Sequence, residues 1–110
     1  MPAADIGPIF VALADPSRRH LLETLARGSA TLSELASGLP VTRQAVSKHL
    51  AALSGAGLVR ARRQGRSTHF ELTPEPLGEA VSWVEAVGAQ WEERLRTLGE
   101  RLTQDAPPHP

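Results

Sequence analysis

Within five residues, at positions 38–42, this chain stops one helix and starts another. Thr31, followed three residues later by Glu34, forms a capping box, in which two side chains reciprocally satisfy orphan backbone donors. Leu32, Leu35 and Leu39 are the apolar positions of that short helix. Gly38-Leu39-Pro40 ends it. Thr42 is a second N-cap. Val41 before it and Val46 at the fourth helical position can close a hydrophobic staple. Val46, Leu50 and Leu53 then line one face of the new helix. Two short helices joined by a tight glycine-containing turn predict a helix-turn-helix, and the rest of the fold must be built around it.

Upstream, Ile6, Ile9, Phe10 and Leu13 recur at helical spacing. Asp15 caps a second helix that opens on Pro16. Its buried stripe is Leu21, Leu22 and Leu25, and Arg18 and Arg19 lay their stems along its surface. Downstream, SGAGL stops the helix-turn-helix and LVRARRQGRSTHFEL switches to an alternating pattern. Val59 and Ala61 take one side, with Arg60 and Arg62 on the other; Thr68, Phe70 and Leu72 share a face on the return. The pattern predicts a β-hairpin turning at Gln64-Gly65 or Gly65-Arg66. One register sets Arg60 opposite Glu71 as a cross-strand pair.

After Thr73-Pro74 a long helix is expected over about residues 75–102. Leu77, Val81, Val84, Gly88, Trp91, Leu95, Leu98 and Leu102 are spaced alternately by 4 and 3, a heptad seam interrupted only by Gly88. Trp83 and Val87 widen it. A helix this apolar has more surface than a small domain can cover. Residues 105–110 are expected to be a disordered tail. The expected architecture is mainly α with a small β-hairpin, one domain over residues 1–104, with no repeat or linker.

Charge narrows the function. The chain has 12 basic and 12 acidic residues, yet residues 35–70 contain six Arg or Lys and no carboxylate. A basic block inside a neutral chain points to a polyanion. The absence of cysteine removes disulfides, thiolate metal sites and thiol catalysis, and fits a reducing compartment. No run approaches the roughly 20 apolar residues of a membrane span. MPAADIGPIF lacks a signal-peptide pattern. The expected location is the cytoplasm, with no membrane partner. No Ser/His/Asp set or phosphate-cradling glycine loop points to an enzyme. His20, His49, His69 and His109 lack ligand spacing, so no metal and no cofactor are expected.

Helix, helix-turn-helix and hairpin in this order make a winged helix, whose second motif helix lies in a DNA major groove. With Val46, Leu50 and Leu53 inward, Gln44, Ser47, Lys48 and Ala51 point outward, and Arg43 reaches out from the first turn. Arg43 suits a guanine edge and Gln44 an adenine edge. Ser47 permits close approach, and Lys48 suits phosphate. Arg62, Arg63, Gln64 and Arg66 at the hairpin tip suit a phosphate or minor-groove contact. Carboxylates here would oppose phosphates.

LADPSRRHLLETLARG, LSELASGLPVTRQAVSKHLAALSGAGLVRARRQGRSTHFEL and the long closing helix together resemble the ArsR/SmtB family of bacterial transcriptional repressors. The likeness runs over roughly residues 5–102, and QAVSKHL with the following AGLV and GR is its most specific part. It implies a winged-helix homodimer that represses its operon and releases DNA on a signal. The matching recognition helix is 42–53, which adds Thr42 and His49 to the contact candidates; the matching wing is 60–69. His49 lies at the edge of the buried face, so a structural role and a phosphate contact both remain open. The family dimerises through its first and last helices, which points to Ile6, Ile9, Phe10, Leu13, Val84, Trp91, Leu95 and Leu98. Many members sense metals through cysteines near the first motif helix or through Asp/His/Glu sets on the last helix. The cysteines are absent here, and the last helix offers Glu75, Glu79, Glu85, Glu92 and Glu93 without histidine, a weak set for borderline metals. Two rival readings are a winged helix that binds proteins and a metal-responsive repressor with an unconventional His/Glu site. The residues name no inducer.

Overall fold

The computed structural model describes residues 5–105. Five helices and three strands follow in the order α1 (Gly7–Leu13), α2 (Pro16–Leu25), β1 (Ala30–Thr31), α3 (Leu32–Ser37), α4 (Arg43–Gly55), β2 (Val59–Gln64), β3 (Ser67–Leu72) and α5 (Glu75–Asp105). By internal packing the chain forms two units, one through Ala80 and one from Val81 onward.

The first unit holds the core. Leu21, Val46, Leu53 and Leu58 are fully enclosed, and Ile9, Ala12, Leu22, Leu25, Leu35, Leu50, Val59 and Ala80 join them. Helices α1 to α4 therefore each commit one apolar face to a common centre, as the helical spacing predicts. No polar or charged residue among the described residues is buried.

Helices α2, α3 and α4 each start on a side-chain cap. Asp15 accepts hydrogen bonds from the backbone N–H groups of Ser17 (2.7 Å) and Arg18 (3.2 Å). At α3 both halves of the capping box are made: Glu34 N–H donates to Thr31 Oγ1 (3.2 Å), and Thr31 N–H donates to Glu34 Oε1 (3.0 Å). Thr42 Oγ1 accepts from Ala45 N–H at 3.1 Å and opens α4.

The hairpin has the register in which Arg60 stands opposite Glu71, and its last pair is Gln64 with Ser67. The turn is therefore Gly65-Arg66. Gly65 takes φ +60°, left-handed backbone that side-chain-bearing residues avoid, at the first central position of a two-residue turn. The sheet has one strand more than the hairpin. Ala30 and Thr31 pair antiparallel with Phe70 and His69, giving the order β1-β3-β2. A two-residue strand is too short to show alternation in the sequence, so nothing marked it.

Helix α5 is 31 residues long and continues to Asp105, past the expected end at residue 102. Thr103 Oγ1 donates to Gly99 O at 2.9 Å within its last turns. Its one proline, Pro76, sits in the first turn, where the missing N–H costs no helical bond, and the next proline in the sequence is Pro107. Asp105, expected in the tail, is thus helical; the remainder of that tail, residues 106–110, lies outside the described residues. Along the second unit, Val81, Trp83, Val84, Val87, Trp91, Leu95, Leu98 and Leu102 are all exposed within the single chain.

Candidate nucleic-acid interface

Helix α4 is held from behind by Val46, Leu50 and Leu53, which are at most 2% exposed. That anchoring fixes its rotation. Thr42, Arg43, Gln44, Ser47, Lys48 and Ala51 are all exposed, and His49 is half-buried. The expected outward row is therefore assembled on one rigid helix, starting at its first turn. His49 acts electrostatically on Asp15, the cap of α2. The Asp15 carboxyl feels a burial effect that pushes its pKa up. The N–H donors of Arg18 and Ser17, helped by the charges of His49 and Arg18, outweigh it and hold the carboxyl below its ordinary value.

The wing supplies the second basic group. Arg62, Arg63, Gln64 and Arg66 are exposed. In an antiparallel ladder directly paired residues share a face. The pairs Val59 with Leu72, Ala61 with Phe70 and Arg63 with Thr68 make one face; Arg60 with Glu71, Arg62 with His69 and Gln64 with Ser67 make the other. Val59 is 3% exposed, so the first face is the one turned to the core. Arg62 and Arg63 thus leave the hairpin on opposite sides. Arg63 Nε donates to Gly65 O at 3.4 Å, across the turn.

Glu71 stands opposite Arg60, as one of the two expected registers has it, and meets Arg62 besides. Its Oε1 lies 2.5 Å from Arg60 Nε and its Oε2 lies 3.9 Å from Arg62 Nη1. Glu34, at the other edge of the block, is likewise engaged. Hydrogen bonds from the Thr31 backbone and hydroxyl, partly opposed by burial and aided by the field of His69, hold its pKa below the ordinary carboxylate value. Both carboxylates that bracket the acid-free segment are therefore tied to partners inside the protein.

Arg18 and Arg19 do something the sequence reading missed. Arg18 donates from Nε to Ala12 O (2.6 Å) and from Nη2 to Val11 O (2.9 Å), and Arg19 donates from Nη1 to Leu13 O (2.7 Å). They close the carbonyl end of α1. The available signal was a pair of arginines just after a cap that follows directly on a helix end.

The residues assigned to a dimer surface divide. Ile9 is 3% exposed and belongs to the protomer's own core. Ile6 and Leu13 are half-buried against that core. Phe10 is exposed on α1, and Val84, Trp91, Leu95 and Leu98 are exposed on α5. Among the described residues, no three His, Cys, Asp or Glu gather where a metal ion could be held, and no helix is long and apolar enough to cross a membrane.

Comparison with known proteins bears on this geometry. A family model described as a helix-turn-helix domain matches residues 13–62. The HTH-type transcriptional regulator Rv2034 of Mycobacterium tuberculosis is 47% identical over 66 residues, which make up 60% of this chain and 62% of that protein. The transcriptional repressor SmtB homolog of Synechocystis is 40% identical over 70 residues, 64% of this chain and 53% of that protein. The chain thus spans between half and two thirds of these two relatives. A solved ArsR-like transcriptional regulator from Rhodococcus sp. RHA1 matches with a TM-score of 0.79 at 36% identity, covering 88% of this chain and 92% of that one. The chain belongs to the ArsR family of transcriptional regulators. A second ArsR-family candidate, from Mycobacterium bovis, is described as a homodimeric winged helix-turn-helix DNA-binding domain. It matches with a TM-score of 0.62 at 27% identity over 77% of this chain and 79% of its own. For an ArsR-family regulator the second helix of the motif is α4 and the wing is the β2–β3 hairpin.

Proposed function

We propose that this ArsR-family chain is a sequence-specific repressor that binds an inverted-repeat operator as a homodimer. The observation that carries the reading is the exposed row Arg43, Gln44, Ser47 and Lys48 on a helix whose opposite face is locked into the core, inside a segment without carboxylates. Arg43 and Gln44 read base edges in the major groove. Thr42, Lys48 and His49 hold phosphates beside it. Arg63, Gln64 and Arg66, with Arg62, carry the wing to the flanking backbone or minor groove. The exposed stripe of α5, with Phe10 of α1, forms the surface between subunits. A two-fold dimer sets its half-sites about 10 base pairs apart or a multiple of that. Repression follows the name of the Synechocystis relative, and homodimerisation the description of the Mycobacterium bovis domain. The protein acts in the cytoplasm, without catalysis and without a cofactor.

Fluorescence anisotropy tests this, with the purified protein titrated at two salt concentrations against DNA upstream of its own gene and against a scrambled duplex. Selective, salt-sensitive binding supports the proposal. Binding at either salt that is no tighter than to the scrambled duplex, repeated across a genomic fragment library, would overturn it and favour a protein partner for the winged helix.

A further inference from the structure

Glu71 is the one carboxylate on the outer face of a basic wing. It lies between two arginines of the neighbouring strand, within 2.5 Å of Arg60 and 3.9 Å of Arg62. The guanidinium-bearing side chains stay open to solvent, 69% and 61% exposed, while the Glu71 side chain is only 22% exposed. Two outward cations thus rest on one sheltered anion. The carboxylate meets Arg60 as a phosphate oxygen would, through a charge-assisted hydrogen bond, and meets Arg62 by charge alone. No ion pair of this kind holds Arg63 or Arg66 among the described residues.

We propose that Glu71 is a brake on sequence-independent DNA binding. It occupies Arg60 and Arg62 as an internal stand-in for phosphate, so the outer face of the wing offers one net positive charge in place of two. The inference rests on the DNA-binding reading above. Exposed ion pairs are weak and exchange partners readily, so the brake does not block binding; it subtracts from it. Phosphate contacts supply most of the affinity for arbitrary DNA, each neutralised phosphate adding ~0.9 to the slope of log K against log salt. Restraining two arginines therefore weakens the hold on non-operator sequence, while the α4 base contacts are untouched.

The test needs no operator. A labelled scrambled duplex is titrated over a salt series with the wild-type protein, Glu71→Gln and Glu23→Gln. The last removes the same charge from an exposed position on α2. The pair Arg60→Ala/Arg62→Ala is measured with and without Glu71→Gln. Glu71→Gln is expected to tighten scrambled binding roughly three- to tenfold and to steepen the salt slope by about one. Glu23→Gln is expected to leave the slope unchanged. Without the two arginines, Glu71→Gln should do no more than Glu23→Gln.

Tightening equal to that of Glu23→Gln, weaker binding, or the same gain in the arginine-free background would each overturn the inference while leaving DNA binding intact. A wild-type protein that binds no duplex at low salt removes the DNA reading and this inference with it. Should Glu71→Gln melt below assay temperature, Arg62→Ala and Arg63→Ala decide instead. The braked Arg62 should change the slope by less than half as much as Arg63, and equal changes would overturn the inference.

Discussion

Arg18 of α2 donates its Nε to the carbonyl of Ala12, at 2.6 Å, across the turn that separates the first two helices. Its Nη2 reaches Val11 O as well. One planar fork thus gives the Ala12 carbonyl a donor, adds a second to the Val11 carbonyl that already accepts from Ala14 N–H, and places a positive charge at the negative end of that helix.

Replacing Arg18 should therefore cost more than an ordinary surface change. Arg18→Ala is expected to destabilise the fold by about 1–3 kcal/mol, the range for losing hydrogen bonds from a charged donor. Arg18→Lys should recover only part of this, since lysine keeps the charge and loses the fork. Urea melts of the three proteins check both statements, and an unchanged midpoint for Arg18→Ala would contradict them.

On DNA, the two basic groups should separate. Arg43→Ala is expected to lower operator affinity by about 1–3 kcal/mol and to relax sequence preference at one position of each half-site. Arg63→Ala should weaken all sequences alike and reduce the salt slope by about one unit. Titrations against operator, point-mutated operator and scrambled duplex distinguish the two; equal loss of specific and non-specific binding in both variants would refute the division.

The α5 stripe should fail by dissociation. Trp91→Glu and Leu95→Glu place a charge where an apolar partner is expected, and burying an unpaired charge is strongly unfavourable. Sedimentation at micromolar concentration should show monomers, while circular dichroism keeps its helical signal because these side chains are exposed in the single chain. A variant that stays dimeric would move the subunit interface elsewhere.

Acid should weaken the fold in a defined window. Asp15 and Glu34 both titrate below their ordinary values because backbone N–H groups favour the charged carboxylate. Their stabilisation is complete above the unfolded-state values near 4 and is lost as pH falls through the lower folded-state values. Melting temperature should be flat from pH 7 to about 5 and decline below about 4. Asp15→Asn preserves a capping side chain without the titration, so its melting temperature should decline less over that range.

Much of this was legible in the sequence because each signal was local. Thr31 with Glu34, Thr42, and Asp15 with Pro16 each announce a helix start within four residues, and all three caps are made. Alternation announced the hairpin and left its turn open between two positions; the register found is the one that sets Arg60 opposite Glu71. The rest depends on partners distant along the chain. Ala30 and Thr31 become a strand only because Phe70 and His69 offer an edge. Arg18 becomes a cap only once α1 and α2 fold against each other. Glu71 was expected opposite Arg60 in one register, and only the folded ladder brings it to Arg62 as well. Ile9 shared a helical spacing with Phe10, yet packing placed one in the core and left the other outside.

Thr31 belongs to two structures at once. Its backbone pairs with His69 in the sheet, and its hydroxyl closes the first turn of α3. The wing and the helix-turn-helix are pinned at one rivet, so neither can swing without undoing the other. If the proposed DNA complex forms as argued, this rivet makes the distance from the α4 row to the wing a fixed gauge, and a misfit in the groove would fall to the bending of the DNA.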